Sequence, residues 1–125
     1  MNLLIDSHVL LWALYAPEKL SSRARTAIED AANPVFYSAA SIWELAIKSA
    51  KGLLKVDGGF LEAIIETRLV ELPVRTTHAW AVWSLPPVHA DPFDRILVAQ
   101  AQAERLTLVT RDQFLDRYDV PILAA

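Results

Sequence analysis

Four acidic side chains are spaced so that chemistry on a phosphate is within their reach: Asp6, Glu44, Asp94 and Asp112. Asp6 directly follows the apolar run Asn2–Ile5, and Asp112 follows the run Leu106–Thr110. Glu44 lies about two turns into a helical segment that begins after Val35–Ser38. Asp94 lies in the first turn of another helical segment that opens at Pro92. Carboxylates that converge cannot all stay anionic and unpaired; they raise one another's pKa or require a cation. No lysine lies within these four motifs, and the chain has no cysteine. An all-oxygen donor set favours a hard ion, Mg²⁺ or Mn²⁺, over zinc. Such an ion polarises a phosphate oxygen and lowers the pKa of a bound water, which points to phosphoryl chemistry.

Each acid also has a purely local reading. Asp6 fits an Asx-turn before a helix capped by Ser7. Ser41-x-x-Glu44 matches a capping box, although Ser38 at the strand end is an equally good cap and leaves Glu44 free. Asp91-Pro92-Phe93-Asp94 reads as N-cap, proline at the first helical position and an acid two residues on. Asp112 can cap the short segment Gln113–Arg117. Among the histidines, His8 is expected at a helix start and His78 on a helix surface, while His89 is placed to hydrogen-bond within the Asp91–Asp94 turn. None has zinc-hydrolase spacing. The four tryptophans, at 12, 43, 80 and 83, fit core or interface positions better than base-stacking platforms.

The elements that must position these residues alternate. Five apolar runs predict strands: Asn2–Ile5, Val35–Ser38, Leu69–Leu72, Leu106–Thr110 and Val120–Leu123. Most are continuous, as in strands buried on both faces. Between them, helical patterns cover His8–Tyr15, Arg23–Ala32, Ala39–Lys51, Phe60–Arg68, Thr77–Ser84 and Pro92–Arg105. Strand and helix in alternation without a hairpin signal predict βαβ units: an α/β fold of three layers, with a central, mostly parallel sheet of about five strands flanked by helices. Ligands in such folds bind outside the carboxyl ends of the strands, where Asp6, Glu44 and Asp112 fall.

Composition narrows the alternatives. At 125 residues the chain is expected to be a single domain, 1–125. Hydrophobic residues at 54% exclude disorder. The absence of cysteine excludes a disulfide scaffold, an iron–sulfur cluster and a thiol nucleophile. Three glycines, at 52, 58 and 59, leave no glycine-rich phosphate loop. The start Met1-Asn2-Leu3-Leu4-Ile5-Asp6 lacks a signal peptide's basic region, and no apolar run reaches a membrane span. A cytoplasmic location is the expectation.

The motifs Leu4-Ile5-Asp6-Ser7-His8-Val9-Leu10-Leu11-Trp12, Ser38-Ala39-Ala40-Ser41-Ile42-Trp43-Glu44, Asp91-Pro92-Phe93-Asp94-Arg95-Ile96-Leu97-Val98-Ala99-Gln100-Ala101 and Leu108-Val109-Thr110-Arg111-Asp112 resemble the PIN-domain family in content, order and spacing. The likeness is greatest to VapC-type toxins of bacterial type II toxin–antitoxin pairs, and it covers nearly the whole chain. It implies a PIN-like fold and a metal-dependent ribonuclease. The family's acids fall on Asp6, Glu44, Asp94 and Asp112; Asp6 and Asp94 look like the principal Mg²⁺ ligands, and the family's hydroxyl falls on Thr110. The resemblance also implies an RNA substrate, a cognate antitoxin lying across a groove near the active site, and a homodimer. The run Val9–Tyr15, apolar on every face, suits either a core helix or such a groove.

The charge balance accommodates this reading. Without Asp6, Glu44, Asp91, Asp94 and Asp112 the formal charge is +2 rather than −3. Arg95, Arg111, Lys48 and Lys51 are candidate backbone contacts, and Thr110 is a further candidate substrate contact. Two rivals use the same acids: a receiver-like phosphoacceptor, which wants a lysine after a late strand where this chain has Thr110-Arg111-Asp112, and a PIN-like binding module with an idle pocket.

Overall fold

A computed structural model describes residues 1–125. Five strands, β1 (Leu3–Ile5), β2 (Val35–Ser38), β3 (Val70–Leu72), β4 (Thr107–Thr110) and β5 (Ile122–Ala124), form one sheet of order β3-β2-β1-β4-β5. Every pairing is parallel, with Ile5 beside Tyr37 on one side and Val109 on the other. Six α-helices cover the sheet: α1 (Ser7–Tyr15), α2 (Ser22–Glu29), α3 (Ala39–Ala50), α4 (Phe60–Ile65), α5 (Thr76–Ala81) and α6 (Pro92–Glu104).

Strand pleating sends successive side chains to opposite faces, and the core divides accordingly. Leu3, Ile5 and Val109 pack with Val9, Leu10, Ala24 and Leu45 of α1, α2 and α3. Leu4 and Leu108 pack on the other face with Leu97, Val98 and Ala101 of α6 and with Leu115. Burial of both faces explains the continuous apolar runs. Several ends differ from the sequence expectation for local reasons. Helix α2 stops at Glu29 because Asp30 accepts the Ala32 N–H in a turn. Helix α4 stops at Ile65, where the Thr67 hydroxyl donates back to Ile64 O. Strand β5 starts at Ile122, since Pro121 has no N–H to offer the ladder. The segment expected as Thr77–Ser84 is α5 followed by a 3₁₀ turn over Val82–Ser84.

The chain leaves β1, builds outward to β3, and then returns to place β4 on the free side of β1. The reversal opens a crevice between the carboxyl ends of β1 and β4, the position at which open parallel sheets bind ligands. Helix α6 leads into β4 on the sheet's far face, so its first turn starts at the same edge.

Candidate active site

Asp6 leaves β1 as the N-cap of α1. Its Oδ1 accepts the Val9 N–H at 2.8 Å, so the cap is Asp6 and not Ser7. Its Oδ2 accepts the Thr110 hydroxyl at 2.6 Å, and the Thr110 Oγ1 in turn accepts the Asp112 N–H at 3.0 Å. One hydroxyl at the end of β4 therefore fixes two of the acids. Asp6 is only 6% exposed. Burial pushes its carboxyl above the ordinary range, against the hydrogen bonds from Thr110 and Val9.

Ser38 caps α3 by accepting the Ala40 N–H at 3.0 Å, which resolves the choice of cap and leaves Glu44 free of a capping box. Glu44 is buried and accepts Lys48 Nζ at 2.8 Å, one turn along α3. This hydrogen bond, first, holds the Lys48 ammonium above its usual range; partial burial opposes it, and the charges of Glu44, Asp91 and Asp94 reinforce it. The pocket thus has a lysine from just outside the acidic motifs. Lys48 is committed to Glu44, which argues against its expected role as a backbone contact.

At the start of α6, Asp91 caps the helix by accepting the Phe93 N–H at 2.9 Å. Asp94, half-buried, has its carboxyl raised to about 7. Burial is the main cause; the charges of Asp91, Asp6 and Asp112 add to it, and the His89 imidazole opposes it. Asp112 caps the 3₁₀ turn Gln113–Arg117 through the Phe114 N–H at 3.0 Å while its Oδ2 meets His89 Nε2 at 2.8 Å. His89 Nε2 is also 3.3 Å from Asp94 Oδ2. Donor atoms of His89, Asp94 and Asp112 lie within 4.8 Å of one another. Capping and convergence are therefore compatible: one oxygen of Asp6 or Asp112 serves the helix and the other faces a partner. The cap role of Asp91 has a direct test. Asp91→Asn retains the acceptor and should cost a few tenths of a kcal/mol in thermal melting, whereas Asp91→Ala should cost about 1 kcal/mol.

Several expectations need correcting. Arg95 is not free for a substrate: its guanidinium donates to the carbonyls of Pro86 (2.8 Å), Val82 (3.1 Å) and Leu85 (3.3 Å) and to Tyr118 Oη (3.1 Å). It pins the loop that precedes α6. Thr110 is 1% exposed with its hydroxyl engaged twice, so it arranges acids rather than meeting substrate. Arg111 is exposed, with its guanidinium over the Trp12 ring at 4.8 Å from the centroid. His78 is buried at 1%, not on a surface, because α5 packs against α6 and the His78 Nδ1 accepts the Arg75 N–H at the helix start. Trp43, Trp80 and Trp83 are 64%, 71% and 81% exposed, outside the core. His89 was legible only as a turn residue; its approach to Asp112 spans 23 positions and has no local sequence signal.

The donor set fits a hard divalent cation. Three carboxylates, two of them raised by burial or mutual repulsion, meet where the one lysine is already paired with Glu44. A cation would relieve that surplus of negative charge. Sheet and pocket together define a class: a parallel α/β domain with an acidic, cation-suited crevice at its switch point. The PIN-domain family profile matches residues 3–121, and the chain belongs to that family. Solved structures share the fold. One is VapBC2 from Rickettsia felis bound to a DNA fragment from the promoter, at 16% identity, TM-score 0.74, covering 99% of this chain and 98% of that one. Another is DNA-bound VapBC from Salmonella typhimurium, at 15% identity, TM-score 0.70 and the same coverages of 99% and 98%. A third is FitAcB from Neisseria gonorrhoeae, at 20% identity, TM-score 0.61, covering 97% and 96%. No curated protein matches the chain significantly. The sheet order β3-β2-β1-β4-β5 differs from the 2-1-3-4-5 order of receiver-like domains, and with the family match this removes the phosphoacceptor reading. No helix is long and apolar enough to cross a membrane.

Proposed function

We propose that the protein is a metal-dependent endoribonuclease toxin of the VapC type, held inactive by a cognate antitoxin. The observation that supports this reading is an acidic group at the switch-point crevice of a PIN domain, in which the charges of Asp6 and Asp112 act on Asp94 and that of Glu44 acts on Asp6. When bound, Mg²⁺ or Mn²⁺ would supply Lewis acidity toward the scissile phosphate. Asp6 and Asp94 would be its principal ligands, with Glu44 and Asp112 completing the pocket. Thr110 keeps Asp6 oriented, and Lys48 offsets the Glu44 charge so that the remaining acids face the cation. Arg111, exposed beside Asp112, is suited to the RNA backbone on the rim of a cavity of about 690 Å³ that Arg23 and Gln113 also line.

The antitoxin part rests on two supports. The fold relatives are VapBC and FitAB assemblies. Helix α1, which Asp6 caps, leaves Leu11, Trp12 and Leu14 half-buried and Tyr15 exposed, an apolar surface suited to a partner helix. A homodimer belongs to the same reading: exposed Trp43, Trp80 and Trp83 supply an apolar face.

The test combines chemistry and growth. Purified, partner-free protein should cleave RNA with Mg²⁺ or Mn²⁺ and stop in EDTA. Its expression should arrest bacterial growth, and Asp6→Ala should relieve the arrest. Cleavage that persists in EDTA but is lost in Asp6→Asn would refute the metal. Harmless, soluble wild type without RNA cleavage would favour the idle-pocket binding module.

A further inference from the structure

We propose that His89 is a positioning residue of the acidic pocket, holding Asp112 through an Nε2–H donor in a tautomer that keeps the imidazole from ligating the metal. The functional half of this inference rests on the metal-nuclease reading; the tautomer half does not.

One donor beside the His89 ring has no choice of role. The Asp91 backbone N–H points at His89 Nδ1 at 3.0 Å, and a backbone N–H can only donate. Nδ1 must therefore present its lone pair, and the ring proton resides on Nε2. That proton is directed at Asp112 Oδ2, 2.8 Å away, with Asp94 Oδ2 farther at 3.3 Å. The ring cannot readily turn to exchange these roles. The His89 backbone N–H is held by Tyr118 Oη at 3.0 Å, and Tyr118 Oη also accepts Arg95 Nη1 at 3.1 Å. The Phe114 ring packs edge-on at 6.5 Å between centroids.

Proximity alone makes His89, Asp94 and Asp112 resemble a three-ligand cation site. Ligation through Nε2 requires that nitrogen to be bare, which moves the proton to Nδ1 and sets it against the Asp91 N–H. Asp91 also caps α6, so its backbone cannot simply turn away. The same cap that starts α6 thus selects the tautomer, and the tautomer makes His89 an outer partner to a carboxylate. Partners of this kind orient metal-binding carboxylates, and their loss typically costs roughly 10–100-fold in metal affinity or activity.

Two replacements divide the imidazole's duties. In His89→Gln the side-chain amide reaches the Nε2 position and can donate to Asp112. In His89→Asn the shorter side chain reaches the Nδ1 position and can accept from Asp91, but falls short of Asp112. The experiment measures Mg²⁺ affinity by calorimetry and RNA cleavage for wild type and both variants, with thermal melting as the folding control. Gln should remain within a few-fold of wild type, and Asn should lose roughly 10–100-fold. If Asn matches wild type, or Gln fails as badly as Asn, the donor role is wrong. Independently, ¹⁵N-labelled wild type should show a protonated Nε2 and a bare Nδ1 on His89 by long-range proton–nitrogen NMR, unchanged on adding Mg²⁺. Loss of the Nε2 proton when Mg²⁺ binds would make His89 a ligand and overturn the proposal. The NMR result stands whether or not the protein cuts RNA, so a failed nuclease reading is distinguishable from a failed tautomer.

Discussion

Without metal, the protein should lose stability as pH rises from 5 towards 7.5, and Asp94→Asn should remove much of that slope. Asp94 is raised from 3.8 to about 7 in the folded chain, chiefly by burial. Across that interval the unfolded chain releases the proton while the folded chain retains it. Folding is thus favoured most below 3.8, and the advantage is lost progressively up to about 7. One proton of difference corresponds to at most about 1.4 kcal/mol per pH unit. Asp6 is raised by the same cause and acts in the same direction. Relaxation of a partly exposed cluster reduces the total, so metal-free Asp94→Asn at pH 7.5 should be more stable than wild type by on the order of 2 kcal/mol. A lost helix-dipole contribution of about 0.3–1 kcal/mol works against the gain. Cleavage should respond oppositely and be abolished, because the amide is a poor ligand for a hard cation. The measurement is denaturant unfolding at pH 5.5, 6.5 and 7.5 in EDTA for both proteins, repeated with Mn²⁺, which should stabilise wild type far more than the variant. Parallel slopes in wild type and Asp94→Asn would place the retained proton elsewhere. An active Asp94→Asn with an inactive Asp91→Asn would reassign the ligand to Asp91.

Thr110→Val should lower cleavage strongly, although Thr110 is buried and its hydroxyl is taken up by Asp6 and Asp112. Valine fills the same space but cannot donate to Asp6 Oδ2 or accept the Asp112 N–H. A buried acceptor left unpaired costs about 1–3 kcal/mol. Removing a donor that favours the carboxylate also raises the Asp6 pKa further, so the acidic limb of the pH–rate profile should move to higher pH. Cleavage at neutral pH should fall roughly 10–100-fold. Thr110→Ser keeps the hydroxyl and should restore both stability and the pH profile. If serine and valine behave alike, the methyl group matters and the hydroxyl does not.

Much of the fold was legible in the sequence because its determinants are local. Continuous runs such as Leu3-Leu4-Ile5 report burial on both faces of a strand, and Ser38 and Asp91 mark helix starts by the backbone N–H groups their side chains accept. Alternation of such segments constrains the chain to a parallel sheet, and a parallel sheet places the residues after each strand at one edge. That is why Asp6 and Asp112 could be paired across more than a hundred positions. Strand order, by contrast, is a property of how the layers close. Only the return of β4 beside β1 brings the Thr110 hydroxyl onto Asp6. Long side chains were the least legible, since their reach exceeds any local pattern. Arg95 spends its donors on carbonyls of the preceding loop, Lys48 turns to Glu44, and His89 crosses to Asp112. His78 went inside because α5 lies on α6, whereas three tryptophans stayed out because both faces of a small sheet were already covered. Local spacing was enough to set which groups stand at the sheet's carboxyl edge; packing between segments settled which are neutralised, which are held and which are left without a counter-charge, because those outcomes depend on distances that no local spacing encodes.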